Sequence, residues 1–243
     1  MLELSERQKK ILKAIIEEYI ETGEPVGSET LEKKFSLGIC PATIRNEMVK
    51  LVDMKYLRQP YTSAGRAPTA LGFKYYIDSL MEEKKMSVAE EVAARESVWD
   101  YRFQFDRLLH ELTRALAQQT RTLAISMTAE GDIYSAGYAN VLDMPEFFDI
   151  DVTRNVLALV DEVKKLETLF EKAFGEDPIH IILGEELEQD SLRPCGFVFT
   201  HFNTGNDKSG TLGIIGPSRL NYAKVIPIIR YYGGLLQELQ RNW

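Results

Sequence analysis

Apolar residues at the start of the chain recur at helical spacing. Ile11, Leu12, Ile15, Ile16, Tyr19 and Ile20 share a face, Ser5 and Gln8 form a capping box ahead of them, and Gly23 ends the run, so the pattern predicts a first helix. Pro25-Val26-Gly27 predicts a turn, and Ser28 the cap of a second helix through Phe35 whose contact face is Leu31 and Phe35. Leu37-Gly38-Ile39 is a tight connection. Pro41 then opens a third helix that places Ile44, Met48, Leu51 and Val52 on one side and Asn46 nearly opposite, flanked by Thr43 and Lys50, with Arg45 at the edge. A compact strand pair follows, ending in a Gly65-Arg66 tip held between prolines.

The rest of the pattern is looser. From Glu82 to about Met127 the sequence reads as helix, with Val88, Val92, Trp99, Phe103, Leu108, Leu109, Leu112 and Leu116 as an apolar stripe suited to core or dimer contact. Asp132–Gly137 predicts a strand, Val156–Phe174 a helix ended by Gly175, and Ile179–Leu183 a buried strand. Cys195–Phe202 and Thr211–Ile215 predict two strands around the turn-rich NTGNDKSG. Ser218 is read as the cap of a last helix, which Pro227 should kink.

Charge alters the picture more than composition does. The net charge of -8 divides unevenly: residues 1–81 hold 12 Lys/Arg against 11 Asp/Glu, while 82–243 hold 17 against 26. Within 41–75, Arg45, Lys50, Lys55, Arg58, Arg66 and Lys74 face only Glu47 and Asp53, and this local excess is what phosphates sense within a Debye length. With 44% apolar residues the chain can bury a core. No run approaches the roughly 18 apolar residues of a membrane span, and no signal-peptide core is present, so a cytoplasmic location is expected. Cys40 and Cys195 lie far apart without CxxC spacing, which argues against a disulfide framework or zinc.

An outward Thr, Asn and Lys on a helix followed by a basic hairpin is the arrangement with which a winged helix grips duplex DNA. Asn46 can pair with adenine, Lys50 can donate to guanine, and Arg66 suits a narrow minor groove. Elsewhere the chemistry is sparse. His110, His180 and His201 have no HExxH or GxSxG frame and read as structural or surface residues; Glu185, Glu186, Glu188 and Asp190 read as a solvated turn. Gly213-Ile-Ile-Gly216-Pro217 lacks the phosphate-loop lysine and reads as strand-to-helix packing. An enzyme carrying an accessory DNA module is disfavoured by this lack of catalytic or metal spacing. A regulator whose second domain senses a small ligand stands as the alternative.

LSERQKKILKAIIEEYIETGEPVGSETL, PATIRNEM, TSAGRAPT, GFKYYIDSLM, ANVLDMPEF, IILGEEL and LGIIGPSRLNYAKVI together resemble the HrcA heat-inducible transcription repressors, nearly continuously over the first 81 residues. The resemblance implies an α+β chain: a winged helix-turn-helix at 1–81 and a reduced GAF-like α/β domain with long flanking helices at 82–243. It implies double-stranded DNA with an inverted-repeat operator as target, a homodimer, repression of chaperone genes, the chaperonin GroEL as partner, and no cofactor. DNA-binding positions carried over are Thr43, Arg45, Asn46, Lys50, Thr62, Ser63, Gly65 and Arg66. The chain is shorter than the family by about a hundred residues, placed between Thr122 and Ile133, where the dimerising insertion and part of the sheet are expected to be missing. It also has Cys40 where the family has Ser before PATIRNEM, a poor cap costing roughly 1 kcal/mol. Tyr61 replaces a His and Ala67 a larger apolar residue.

Overall fold

The computed structural model describes residues 4–172, 177–187, 189–204 and 208–240, and it divides into two compact units, Met1–Glu82 and Glu83–Trp243. In the first, α1 (Glu6–Thr22) starts where the capping box is written: Ser5 Oγ accepts from the Gln8 amide, and Gln8 Oε1 accepts from the Ser5 amide at 3.0 Å. Gly23 stops it in the left-handed region at φ 71°. Helix α2 (Ser28–Lys34) corrects the expected cap, which is Gly27 with no side-chain bond; Ser28 lies inside the first turn and is buried. Helix α3 (Pro41–Asp53) buries Ile44, Met48 and Leu51 against Ile11, Leu12, Ile15 and Ile16 of α1 and Leu31 of α2, while Val52 and Phe35 are only half-buried.

Two polar ties orient these helices. Lys34 reaches both oxygens of the buried Glu18 at 2.8 and 2.9 Å, joining α2 to α1. Gln8 Nε2 donates to the buried Glu47 at 3.1 Å, and Lys50 Nζ closes on the same carboxylate at 3.0 Å, so the cap of α1 is wired to α3. The antiparallel hairpin of β1 (Leu57–Arg58) and β2 (Ala67–Pro68) follows, then α4 (Ala70–Tyr75), which widens into a π-helical turn over Tyr76–Leu80.

In the second unit, the single helix expected over Glu82–Met127 is two helices and the start of a sheet. Helix α5 (Val88–Trp99) opens with a Ser87/Glu90 capping box, residues 100–104 turn through i,i+3 bonds, and α6 (Phe105–Thr120) ends at Arg121 with φ 54°. Strand β3 (Leu123–Thr128) already lies within the expected helix. The cause is two apolar faces rather than one. Leu108, Leu109, Leu112 and Leu116 are buried, whereas Val88, Val92, Trp99 and Phe103 are exposed.

Strand β4 (Ile133–Ala136) and the short α7 (Tyr138–Leu142) come next. The helix expected over Val156–Phe174 is also two, α8 (Ile150–Asp161), capped by the Asp149 carboxylate on the Asp151 amide, and α9 (Val163–Glu171). They part at Glu162, whose backbone is extended; Gly175 lies outside the described residues. With β5 (His180–Leu183), β6 (Cys195–Asn203) and β7 (Ser209–Pro217), an antiparallel sheet forms in the order β4-β3-β7-β6-β5. Leu123, Ile125, Phe197, Phe199 and Ile215 pack with α8 and α9 on one face, and α6 with α10 (Tyr222–Gln240) covers the other.

The cap of α10 is Asn221, whose Oδ1 accepts from the Lys224 amide at 3.2 Å, rather than Ser218, whose carbonyl accepts from the buried Tyr222 hydroxyl. Pro227 sits inside α10 and lacks the N–H that would meet the Ala223 carbonyl. That carbonyl accepts instead from the Lys84 amide at 2.8 Å. A bidentate Arg230–Glu83 pair and the Tyr231 hydroxyl on the Glu91 carbonyl continue the seam.

Two of the recognised sequence blocks meet in this unit. Arg219 of GPSRLNY makes a bidentate, largely buried pair with Glu146 of ANVLDMPEF. Asn140 of the same block donates to the carbonyls of Ala117 and Thr122 at 3.2 and 3.0 Å, tying the end of α6 to the start of β3. Arg219→Ala leaves Glu146 without its main partner and is expected to lower the unfolding free energy by about 2 kcal/mol, with Arg219→Lys recovering only part because an ammonium cannot form the fork. Urea unfolding of the three proteins measures it.

Candidate nucleic-acid interface

The hairpin is seated by its backbone. Val26 and Arg66 exchange two amide-to-carbonyl bonds of 2.9 Å, so the chain between α1 and α2 acts as a third strand beside β2. This requires Gly65: a Cβ there would lie 2.4 Å from the Val26 carbonyl atoms and 2.7 Å from the Pro25 oxygen. At the base, the Thr69 hydroxyl donates toward the Lys55 and Tyr56 carbonyls and accepts from the Gly72 amide, capping α4 while holding the two arms together. Gln59 spans the loop from its Nε2 to the carbonyls of Thr62 and Ala64 at 2.7 and 3.2 Å.

The outward face of α3 comprises Ala42, Arg45, Asn46, Val49 and Lys50, all exposed, with Thr43 half-exposed. Val49 and Ala42 lie near its centre at 100° per residue, and sequence reasoning missed both, although the same projection that found Asn46 holds them. Thr43 Oγ1 is 3.2 Å from the Cys40 sulfur. Cys40 occupies the N-cap position and makes no capping bond to the helix amides. Its thiol is exposed and held below the ordinary thiol value by the Thr43 hydrogen bond, whereas Cys195 is buried and pushed up to about 12 by desolvation.

Between α3 and the hairpin lies a cleft of about 440 Å³ lined by Arg45, Met48, Gly27, Ser28, Gln59, Thr62, Ser63, Ala64, Gly65 and Arg66. Five of the eight sequence-derived positions, Arg45, Thr62, Ser63, Gly65 and Arg66, thus line one concavity, and Gln59 joins them unforeseen. Arg66 does not project from the tip. Its Nη1 folds back on the Ala64 and Gly65 carbonyls at 3.2 and 3.3 Å, and its Nε is buried without a partner. Thr43, Asn46 and Lys50 lie outside the cleft lining, on α3. Lys50 is held by Glu47.

The second unit offers less convergent chemistry. His180 and His201 stand 5.2 Å apart between ring centres, and burial depresses both imidazoles, with His180 adding to the effect on His201. His201 Nδ1 is 2.9 Å from the Thr211 hydroxyl, and His110 is exposed beside Glu111. Among the described residues no cluster of three or more His, Cys, Asp or Glu could hold a metal, and no helix is long and apolar enough to cross a membrane. Glu186 accepts from the Leu183 amide and Asp190 pairs with Arg193; Glu188 lies outside the described residues.

A helical unit with a cleft beside a hairpin, followed by an antiparallel sheet between helices, makes this an α+β protein. The chain belongs to the HrcA family: the model of the HrcA protein C terminal domain matches residues 74–226. Curated relatives named heat-inducible transcription repressor HrcA include those of Pelotomaculum thermopropionicum (27% identity, 99% of this chain and 98% of the relative) and Symbiobacterium thermophilum (27%, 98% and 99%). The first alignment runs over 341 positions, so at least 98 of them have no residue in this 243-residue chain. A crystal structure described as that of a hypothetical protein shares the fold, with a TM-score of 0.78 at 19% identity and 99% of both chains covered.

Two outcomes test the local chemistry. Gly65→Ala forces the hairpin off the Val26 backbone, which is expected to cost about 1–3 kcal/mol and to strip hydrogen-exchange protection from the Val26 and Arg66 amides selectively. Cys40 should be alkylated by iodoacetamide with a rate that inflects below the pH of an ordinary thiol, and Thr43→Val should move that inflection upward, while Cys195 stays unreactive until the protein unfolds.

Proposed function

We propose that the chain is a DNA-binding transcriptional repressor whose first unit works as a winged helix-turn-helix and whose second is a reduced GAF-like domain that pairs two copies on an inverted-repeat operator. The observation that carries the reading is the cleft between α3 and the hairpin, where Arg45 and Arg66 meet hydroxyls and close backbone. Arg45 is placed for a phosphate at the groove edge. Arg66 has a buried, unpartnered Nε–H that a phosphate oxygen would satisfy once the guanidinium turns from its own carbonyls.

Base reading falls to the outward face of α3. Asn46 supplies a bidentate donor and acceptor for adenine, Val49 and Ala42 apolar contact for a thymine methyl, and Lys50, steadied by Glu47, a donor for guanine. Thr43 and the loop residues Thr62, Ser63 and Gly65 complete the surface. The names of the relatives support heat-responsive repression of stress genes, and the family resemblance extends the proposal to chaperone operators and to GroEL as modulator.

Selection of bound fragments from a random duplex pool tests the reading, with an inverted repeat as the expected product and no enrichment as the result that sinks it. On the selected site, Arg45→Ala and Arg66→Ala should each weaken binding to all sequences and reduce the salt slope by about 1, whereas Asn46→Ala should relax preference at particular base pairs at a cost of about 1–3 kcal/mol.

A further inference from the structure

The second unit holds a cavity of about 450 Å³ that the proposed function does not use. That size falls within the range of about 300–1,000 Å³ found for small-ligand sites. Its floor is four leucines: Leu159 of α8, Leu169 of α9, and Leu187 with Leu192 from the chain between β5 and β6. All are buried except Leu187, which is half-buried. The wall opposite α9 is fixed by its own bonds. Gly184 lies so close to Leu192 that a Cβ there would overlap the Leu192 carbonyl, and Glu186 accepts from the Leu183 amide at 2.9 Å. Gln189 Nε2 then donates to Asn155 of α8 at 2.8 Å and to Ser191 at 3.2 Å. A concavity held in this way needs little ordering by its ligand.

The rim has the opposite sign from the chain around it. Residues 82–243 carry 26 acidic against 17 basic side chains, yet among the described residues the charged groups lining the cavity are all lysines. Lys164, Thr168 and Lys172 follow at i, i+4 spacing along one ridge of α9, and Leu169 lies on the ridge inside them. Lys165 is held by Glu162 at 2.7 Å, whereas Lys164 and Lys172 have no ion-pair partner among the described residues. Glu167 and Glu171, the acids of α9, lie about 160° from Leu169 at 100° per residue and so face away from the floor. No aromatic ring of the described residues lines the site, which suits a flexible chain better than a planar ring. We propose that the cavity binds an aliphatic carboxylate, its hydrocarbon over the four leucines and its anionic head above Thr168, one helical turn from Lys164 on one side and Lys172 on the other. The site lies wholly in the second unit and does not rest on the DNA reading.

Isothermal titration of the full chain with sodium decanoate, without DNA, is the test. One saturable site is expected. Decyltrimethylammonium, with the charge reversed, and butyrate, with too little chain to cover the floor, should show none at the same concentrations. Lys164→Glu combined with Lys172→Glu should weaken decanoate binding at least about tenfold, while the paired Lys→Arg exchange should keep it. Thr168→Trp, which sets an indole in the mouth from an exposed position, should abolish it. Circular dichroism checks that each variant is folded, and the two amphiphiles on the unaltered chain decide the charge preference even where a variant fails to fold. Lack of a saturable site, equal binding of the cationic amphiphile, or decanoate binding that survives in both folded variants each overturns the inference.

Discussion

The first unit depends on how closely the hairpin backbone can approach the chain between α1 and α2. Two amide bonds between Val26 and Arg66, made possible by the missing side chain of Gly65, bring the tip against the turn that leads into α2. From this one contact the cleft follows. Gly27 and Ser28 form one wall, the hairpin another, and Arg45 and Met48 of α3 the third. Thr69 at the base and Gln59 across the loop then hold a hairpin only two residue pairs long in a single shape, which an isolated ribbon of that length could not keep.

A comparable economy governs α3. Its buried face includes a carboxylate, Glu47, that would be costly alone and is satisfied from both sides, by Gln8 of the α1 cap and by Lys50 one turn along. The orientation of α3 is thereby coupled to the capping box that starts α1. In the second unit the analogous tie is Arg219 to Glu146, which crosses 73 residues of sequence and fastens the end of β7 to the segment before α8.

Much of the first unit was legible because its signals are local. Ser5, Gln8, Gly23 and Pro41 each act within one helical turn, and the structure uses each as written. Ser28 was misassigned because Gly27 can also end a turn in the extended region, and the burial of the serine hydroxyl is a tertiary fact. Longer patterns failed where two faces were merged. In projection, Val88, Val92, Trp99 and Phe103 lie within about 60°, and Leu108 to Leu116 lie on the far side, so the phase difference was present and was read as one stripe. The break at 100–104 carries neither Gly nor Pro. Of the site, the cleft residues were legible as a motif, but the inward fold of Arg66 and the part of Gln59 depend on loop geometry that no periodicity encodes.

The proline in α10 has a consequence for the order in which the second unit can be completed. Its vacated carbonyl at Ala223 is filled by Lys84, and these partners are 139 residues apart, as are Arg230 and Glu83 at 147. Contacts this remote in sequence form only after the intervening chain has collapsed. The entry to the second unit is therefore sealed by its final helix, like a purse drawn shut by its last stitch. Tension applied where the two units join would be felt first in the middle of α10.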